Sequence, residues 1–160
     1  MKQLAIAFSG PSNSGKTTTI LKVLDKFIAQ GLKCVVIKHD PGDKARFDVA
    51  GKDSFKFSEA GADVVVLSPT RTTYFSKTKS ELDEVIAMLG EFDLLIVEGL
   101  KTLPLPRISV FKDSINEEYL AFSNAIASYE THKDYGLPHI NLDDIDAICE
   151  WIIKNAKVVK

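Results

Sequence analysis

Short apolar runs alternate along this chain with longer stretches in which apolar residues recur every three or four positions. The short runs predict β-strands, and the longer stretches predict amphipathic helices. Strands are predicted at residues 3–8, 33–38, 63–68, 71–76, 93–97, 107–111, 124–127 and 139–141. Helices are predicted at 15–29, at 53–61, at 80–90 with Ser80 as N-cap, and at 143–156 with Asp143 as N-cap. The strands 63–68 and 71–76 either pair as a hairpin or lie apart.

This alternation predicts an α/β fold with a mostly parallel twisted sheet and helices on both faces. The length of 160 residues fits one nucleotide-binding domain over residues 1–160. The apolar continuity of 93–97 predicts a central strand. Ligands of such folds bind at the carboxyl ends of the strands. We therefore expect the loops after 3–8, 33–38 and 93–97 to lie along one edge.

Composition narrows the class of protein. Apolar residues make up 45% of the chain, charged residues 26%, and the net charge is −2. This balance disfavours nonspecific nucleic-acid binding, and no apolar run has the length of a membrane span or a signal peptide. Cys34 and Cys149 lie in or beside apolar segments, which predicts buried thiols of a reducing compartment. We expect a cytoplasmic protein that binds neither nucleic acid nor membrane.

The stretch "GPSNSGKT" fits the phosphate-loop pattern G-x-x-x-x-G-K-[ST] and lies between a predicted strand and a predicted helix. Backbone N–H groups of such a loop surround the β-phosphate, and the helix N-terminus adds its positive end. We expect Lys16 at the β- and γ-phosphates, Thr17 at Mg²⁺ and Thr18 at the α-phosphate. The alternative is a simple Gly/Ser turn. The residues expected to bind the nucleotide are Gly10, Pro11, Ser12, Asn13, Ser14, Gly15, Lys16, Thr17 and Thr18.

A carboxylate at the end of a nearby buried strand usually completes such a metal site. Glu98 follows the strand 93–97 at its carboxyl end, whereas Asp93 stands at the opposite end. We therefore expect Glu98 to hold Mg²⁺, directly or through water. The alternative for Glu98 is a carboxylate that caps the next turn.

The polar loop 39–53 follows the second predicted strand. Asp48 and His39 are its candidates for a second metal-linked acid or a water-positioning group. The alternative for His39 is a solvated loop imidazole. None of the three histidines has metal-ligand spacing with a cysteine, so we do not expect a structural zinc site.

Five stretches together resemble a known family: "GPSNSGKTT", "IKHD", "FDVAGKDSFKFSEAGADVVVLSPTR", "DLLIVEGLK" and "PRISVF". They are similar to MobB, the molybdopterin-guanine dinucleotide biosynthesis adapters among the phosphate-loop GTPases. The most specific part is the run from Asp48 to Ala62. The resemblance covers residues 3–112 well and the last third of the chain weakly.

This resemblance implies a protein that binds GTP and Mg²⁺, hydrolyses GTP weakly and forms a homodimer. Its partners would be a MobA-type guanylyltransferase, which joins GMP to molybdopterin, and molybdopterin itself. The resemblance implies catalytic roles for Lys16, Asp48 and Glu98, and metal contacts for Thr17, Asp48 and Glu98. Lys101 matches the lysine that follows the strand acid in the family.

The sequence departs from the expected GTPase pattern in three places. It has no N-K-x-D guanine-recognition motif, so the guanine preference rests on the resemblance alone. Chain order places a base-recognition loop after 121–128, between Ser128 and Asp134. The loop after "KHD" lacks the His-rich stretch that is common in the family, and no glutamine is placed to orient the attacking water.

Three other functions remain open from the sequence. A small-molecule kinase using ATP has this size and loop, but Arg46, Arg71 and Arg107 are too far apart in sequence for an arginine-rich lid. A GTPase that inserts metals would need Cys and His ligands near the nucleotide, and both cysteines have apolar neighbours. A binding module would hold the nucleotide only as a structural element.

Overall fold

The computed structural model of the protein describes residues 2–130 and 133–160. The chain divides into two compact units. The sheet unit comprises Met1–His39 and Glu91–Lys160, and the hairpin unit comprises Asp40–Gly90. The single domain over residues 1–160 stays a prediction.

The described residues contain four α-helices, one 3₁₀ helix and nine strands. In chain order they are β1 (Leu4–Ser9), α1 (Lys16–Ala29), β2 (Cys34–Lys38), α2 (Asp53–Glu59), β3 (Val64–Ser68), β4 (Arg71–Phe75), α3 (Leu82–Met88), β5 (Leu94–Glu98), β6 (Arg107–Phe111), the 3₁₀ helix (Glu117–Phe122), β7 (Ala125–Ser128), β8 (His139–Asn141), α4 (Ile145–Asn155) and β9 (Lys157–Val158).

The sheet unit is built on a mostly parallel sheet, as the alternation of strands and helices predicts. Six strands lie in the order β2-β5-β1-β6-β7-β8 and pair in parallel, and β9 pairs antiparallel with β1. β5 therefore lies between two neighbours, which confirms the prediction of a central strand. In the register of the sheet, Phe8 is opposite Glu98 and Ser9 is opposite Ser109. The carboxyl ends of β1, β5 and β6 thus meet at one edge.

The core of the sheet unit lies between one face of the sheet and the helices α1 and α4. Alternate residues of the strands point to this face, because side chains of a strand have a period of two. Phe8 and Ile96 are fully buried there, and Phe27 of α1 and Ile148 of α4 join the same cluster. On the opposite face, Phe111 contacts Tyr119 of the 3₁₀ helix edge-to-face, with ring centroids 5.9 Å apart.

The hairpin unit contains an antiparallel pair, β3 and β4. Val64 is opposite Phe75 and Ser68 is opposite Arg71, so Pro69 and Thr70 form the connecting turn. The structure thus selects the hairpin over two separate strands.

Both predicted helix N-caps are wrong by one residue. α3 is capped by Glu81, which accepts a hydrogen bond from the Glu84 backbone while the Glu84 carboxylate accepts from the Glu81 N–H. Ser80 therefore lies one residue outside the helix. Asp144, and not Asp143, accepts from Ala147 N at 3.0 Å at the start of α4. A run of neighbouring polar residues offers several caps, and only the local backbone selects one.

Two further findings bear on the class of protein. In the residues that the structure describes, no helix has the length and apolarity that crossing a membrane requires. Cys34 and Cys149 are free thiols, half-buried and buried respectively. Burial raises the pKa of both thiols.

We expect Ile148→Ala to lower the free energy of unfolding by about 2–5 kcal/mol, because it leaves a cavity between α4 and the sheet. Ile148 is fully buried, whereas Ile153 on the same helix is half exposed. Ile153→Ala is therefore the matched control and should cost about 1 kcal/mol or less. Urea unfolding followed by circular dichroism checks both values. Equal losses for the two variants would contradict this packing.

Candidate functional site

The loop from Gly10 to Gly15 has the backbone conformation of an anion-binding nest. Gly10, Asn13 and Gly15 have φ values of +148°, +59° and +88°. Left-handed residues at such positions turn backbone N–H groups into a shared concavity. A Cβ on Gly10 would lie 2.5 Å from the Val110 carbonyl oxygen and 2.7 Å from Ser14 Oγ. Only glycine therefore allows the chain to turn this closely against β6.

The N-terminus of α1 carries no side chain that competes with an anion. Gly15 is its N-cap, no side chain caps it, and the first turn contains no acidic residue. The first backbone bond of the helix runs from Thr19 N to Gly15 O at 2.9 Å. The N–H groups of residues 16–18 precede it and have no acceptor within the helix. Together with the helix dipole, they form a positive end suited to phosphate.

Lys16 and Glu98 meet directly at this end. Lys16 Nζ lies 3.2 Å from Glu98 Oε1 and donates to the Gly10 carbonyl at 3.1 Å. Both side chains are mostly buried, at 17% and 19% exposure. Asp93 lies at the opposite end of β5, where its Oδ2 accepts from Lys33 N at 2.7 Å. The structure therefore brings together the lysine and the acid that the sequence selects.

A cavity of about 400 Å³ opens over this loop. It is lined by residues 11–18 together with Glu98 and Lys112. Lys112 N donates to the Ser14 carbonyl at 2.9 Å, so the end of β6 supports the loop. The volume falls within the usual range of small-molecule sites.

The residues at this cavity fit a Mg²⁺-bound phosphate chain. Ser14 Oγ is buried and has no hydrogen-bond partner, which leaves a donor inside the loop. The exposed Thr17 hydroxyl and the Glu98 carboxylate supply oxygen atoms, the ligand type that Mg²⁺ prefers. The neighbouring Lys16 ammonium adds the charge that phosphate oxygens require.

Asp48 belongs to the hairpin unit. Its Oδ1 accepts from Val49 N at 2.8 Å and from Ser54 Oγ at 3.1 Å, and its Oδ2 is buried without a partner. A contact between Asp48 and the metal stays a prediction.

Two other candidates lie in the sheet unit beside Glu98. His39 is exposed, and its backbone N–H donates to the Glu98 carbonyl at 3.0 Å. Lys101 Nζ lies 4.0 Å from the centre of the Tyr119 ring, so it makes a cation–π contact.

The segment expected to recognise the base begins at the end of β7. Ser128 Oγ lies 2.5 Å from His139 Nε2, and Asp134 Oδ1 accepts from Gly136 N at 2.8 Å. Tyr129 donates to Asp143 at 2.9 Å. Thr131 and His132 of this segment lie outside the described residues. Base recognition by this segment stays a prediction.

Arg107 is the residue of this edge that the sequence pattern misses. It is fully buried, and its guanidinium donates to Ser9 Oγ, Gly99 O and Leu100 O at 2.6, 2.7 and 2.6 Å. Burial lowers its pKa from the ordinary arginine value. The available signal is an arginine at the start of the mostly apolar strand "RISVF", where a buried charge needs acceptors.

Comparisons with known proteins find relatives along nearly the whole chain. Residues 5–129 match the family model "MobB: Molybdopterin guanine dinucleotide synthesis protein B". The chain is 31% identical to a probable molybdopterin-guanine dinucleotide biosynthesis adapter protein of Bacillus subtilis, covering 92% of this chain and 90% of that protein. It is 26% identical to the adapter protein of Escherichia coli, over 93% and 91% of the two chains. The crystal structure of Bacillus subtilis MobB is similar with a TM-score of 0.79 and 27% identity, covering 96% of this chain and 98% of that one.

We expect Ser14→Ala to leave the free energy of unfolding unchanged, or to raise it by up to about 1 kcal/mol, when no nucleotide is present. The variant removes a buried hydroxyl that has no partner. The matched control is Thr19→Val, which removes a hydroxyl that donates to Gly15 O at 3.0 Å and should cost about 1 kcal/mol. Thermal or urea unfolding measures both. A larger loss for Ser14→Ala than for Thr19→Val would contradict the description of the loop.

Proposed function

Because the chain belongs to the family of molybdopterin guanine dinucleotide synthesis protein B, we propose that it binds GTP with Mg²⁺ as an adapter in molybdopterin guanine dinucleotide biosynthesis. The observation that most directly supports a GTP site is the contact of Lys16 Nζ with Glu98 Oε1 at 3.2 Å beside the nest Gly10–Gly15. The adapter role is supported by the names of the relatives, which describe such adapters.

In this proposal the groups at the loop divide the contacts with the nucleotide and the metal. The nest and the N–H groups of residues 16–18 bind the phosphate oxygens, and the Ser14 hydroxyl donates a further hydrogen bond. The Lys16 ammonium exchanges its contacts with Gly10 O and Glu98 for the β- and γ-phosphates. This exchange frees the Glu98 carboxylate, which with Thr17 would hold Mg²⁺. The metal would neutralise charge on the phosphates.

We propose that hydrolysis of GTP is slow. Gln3 and Gln30 are the only glutamines in the sequence. Gln3 lines a cavity at the opposite end of the sheet together with Asp93. Gln30 is the C-cap of α1, about 21 Å along the helix from Lys16. Neither glutamine is placed to orient an attacking water at the loop, so rapid turnover would need Asp48, His39 or a partner protein.

The kinase alternative loses support from the contacts of two of the three arginines. A lid over transferred phosphates needs mobile arginines near the loop. Arg107 is buried and donates to three acceptors of the chain itself. Arg46 donates to the Asp43 and Ala45 carbonyls of its own loop.

We propose that the partners are a guanylyltransferase of the MobA type, molybdopterin and a second copy of this chain. Support for the second copy lies in the hairpin unit, because large exposed apolar areas often mark interaction surfaces. A two-stranded sheet is also marginally stable by itself. The exposed large apolar side chains of the hairpin unit are Phe47, Val49, Phe57, Val65, Leu67, Tyr74 and Met88.

We expect Lys16→Ala to weaken binding of a fluorescent GTP analogue with Mg²⁺ about 100-fold, because it removes a charge-assisted contact to the phosphates. Lys22→Ala is the matched control, since Lys22 is an exposed lysine of the same helix. Fluorescence anisotropy measures the affinities, and competition with unlabelled GTP and ATP measures base preference. Equal affinity of the Lys16→Ala and wild-type proteins would contradict the site. Equal competition by ATP would contradict the guanine preference and favour a kinase.

We expect Leu67→Lys to convert a dimer into a monomer, because Leu67 is 80% exposed on β3 and a charge there would have to be desolvated on association. Ile153→Lys, on an exposed position of α4 in the sheet unit, should leave the dimer intact. Sedimentation velocity at matched concentrations distinguishes the two states. A Leu67→Lys protein that stays dimeric would exclude this surface.

A further inference from the structure

We infer that Arg107 is a positioning residue for the triphosphate: its guanidinium holds the turn behind Glu98 against the start of the phosphate loop. The inference rests on the proposed GTP site and assigns to it a residue that makes no contact of its own with the cavity over residues 11–18.

The guanidinium of Arg107 lies in a buried environment of neutral acceptors. Arg107 is fully buried, and none of the ion pairs found among the described residues includes it. A buried charge without a counter-ion is costly unless hydrogen bonds replace its hydration. Here the planar guanidinium donates to three neutral oxygens at 2.6–2.7 Å. Lysine could not reproduce this arrangement, because its donors lie on a single nitrogen atom.

The three acceptors lie in sequence next to the phosphate loop and next to Glu98. Ser9 directly precedes Gly10 of the phosphate loop, and Gly99 and Leu100 directly follow Glu98. Arg107 stands on β6, the other neighbour of β1. One side chain from β6 therefore connects the chain segments that carry the lysine loop and the acid.

The turn that Arg107 binds has a strained backbone. Gly99 and Leu100 both have positive φ, at +91° and +49°. A non-glycine residue in this region persists only where its surroundings hold it. A Cβ on Gly99 would also lie 3.1 Å from His39 Cβ, so the turn is packed closely. The Gly99 N–H donates to the Phe8 carbonyl, and Arg107 binds the carbonyls of both residues.

These contacts define what Arg107 does for the site. They fix the backbone immediately after Glu98, and so fix the carboxylate 3.2 Å from Lys16 Nζ. Without them the turn can relax and Glu98 can leave the metal and γ-phosphate end of the site. The nest and the helix N-terminus, which bind the other phosphates, are held by other contacts, such as Lys112 N to Ser14 O. Loss of Arg107 should therefore harm triphosphate binding more than diphosphate binding.

The test compares GTP and GDP affinities, each with Mg²⁺, for Arg107→Met and wild type. We expect the variant to lose about tenfold or more in GTP affinity and about threefold or less in GDP affinity. Asn124→Ala is the matched control, because Asn124 Oδ1 accepts from the Arg107 backbone N at 3.0 Å and does not touch the guanidinium. The control should change both affinities by similar factors. Equal losses of GTP and GDP affinity in Arg107→Met would overturn the inference.

A second measurement tests the role of Arg107 without any nucleotide. It therefore applies even if the wild type binds no GTP, a result that would contradict the proposed function. Without nucleotide, Arg107→Met should speed hydrogen exchange of the Gly99 and Leu103 amides about tenfold relative to amides of α4. Leu103 N donates to Leu100 O, so it reports on the same turn. Ser9→Ala, which removes one acceptor, should show a smaller effect of the same kind and serves if Arg107→Met does not fold. Unchanged exchange at both amides would overturn the inference.

Discussion

The parallel pairing of β1 with β5 is the constraint on which the candidate site depends. This register places Phe8 opposite Glu98, so the chain leaves both strands at the same edge of the sheet. From there one strand continues into the nest Gly10–Gly15 and α1, and the other ends in a carboxylate. Lys16, the first residue of α1, therefore lies close enough for its Nζ to contact Glu98 Oε1 at 3.2 Å. A shift of one residue in this register would turn Glu98 to the other face of the sheet.

Several features at this edge depart from ordinary packing rules. The face under α1 and α4 is an apolar core. At the edge, by contrast, the chain keeps a buried hydroxyl without a partner, a left-handed leucine and a buried guanidinium. Each of these features lowers the stability of a folded chain unless other contacts compensate. A concentration of such features at one edge is typical of binding sites, where selection for ligand contacts overrides selection for local stability.

Much of this arrangement can be predicted from the sequence, because its signals are local. The phosphate-loop pattern, the buried strand before it and the helix after it lie within about 30 residues, and the choice of Glu98 over Asp93 needs only the direction of a strand. The resemblance to MobB, drawn from five short stretches, is confirmed by the family match. The predicted N-caps are wrong by one residue, since Asp143 and Asp144 offer the same side chain to one turn, and Glu81 caps α3 through a reciprocal contact with Glu84 although serine is the commoner N-cap.

The contacts that could not be predicted are those between distant residues. Arg107 and Ser9 are 98 positions apart, and although an arginine at the start of β6 indicates a need for buried acceptors, the sequence does not identify Ser9 as one of them. The short 3₁₀ helix and β9 lack a periodic pattern, because six and two residues are too few to show one. Metal binding by Asp48 and base recognition by the segment between Ser128 and Asp134 also depend on contacts with a ligand. Both stay predictions.

The most direct test of this account is a crystal structure of the protein grown with Mg²⁺ and a non-hydrolysable GTP analogue. The account predicts the β-phosphate inside the nest Gly10–Gly15, Lys16 Nζ on the β- and γ-phosphate oxygens, and the metal beside Thr17 and Glu98. A nucleotide bound elsewhere, or a triphosphate whose metal lies away from Glu98 with the Lys16–Glu98 contact intact, would contradict it.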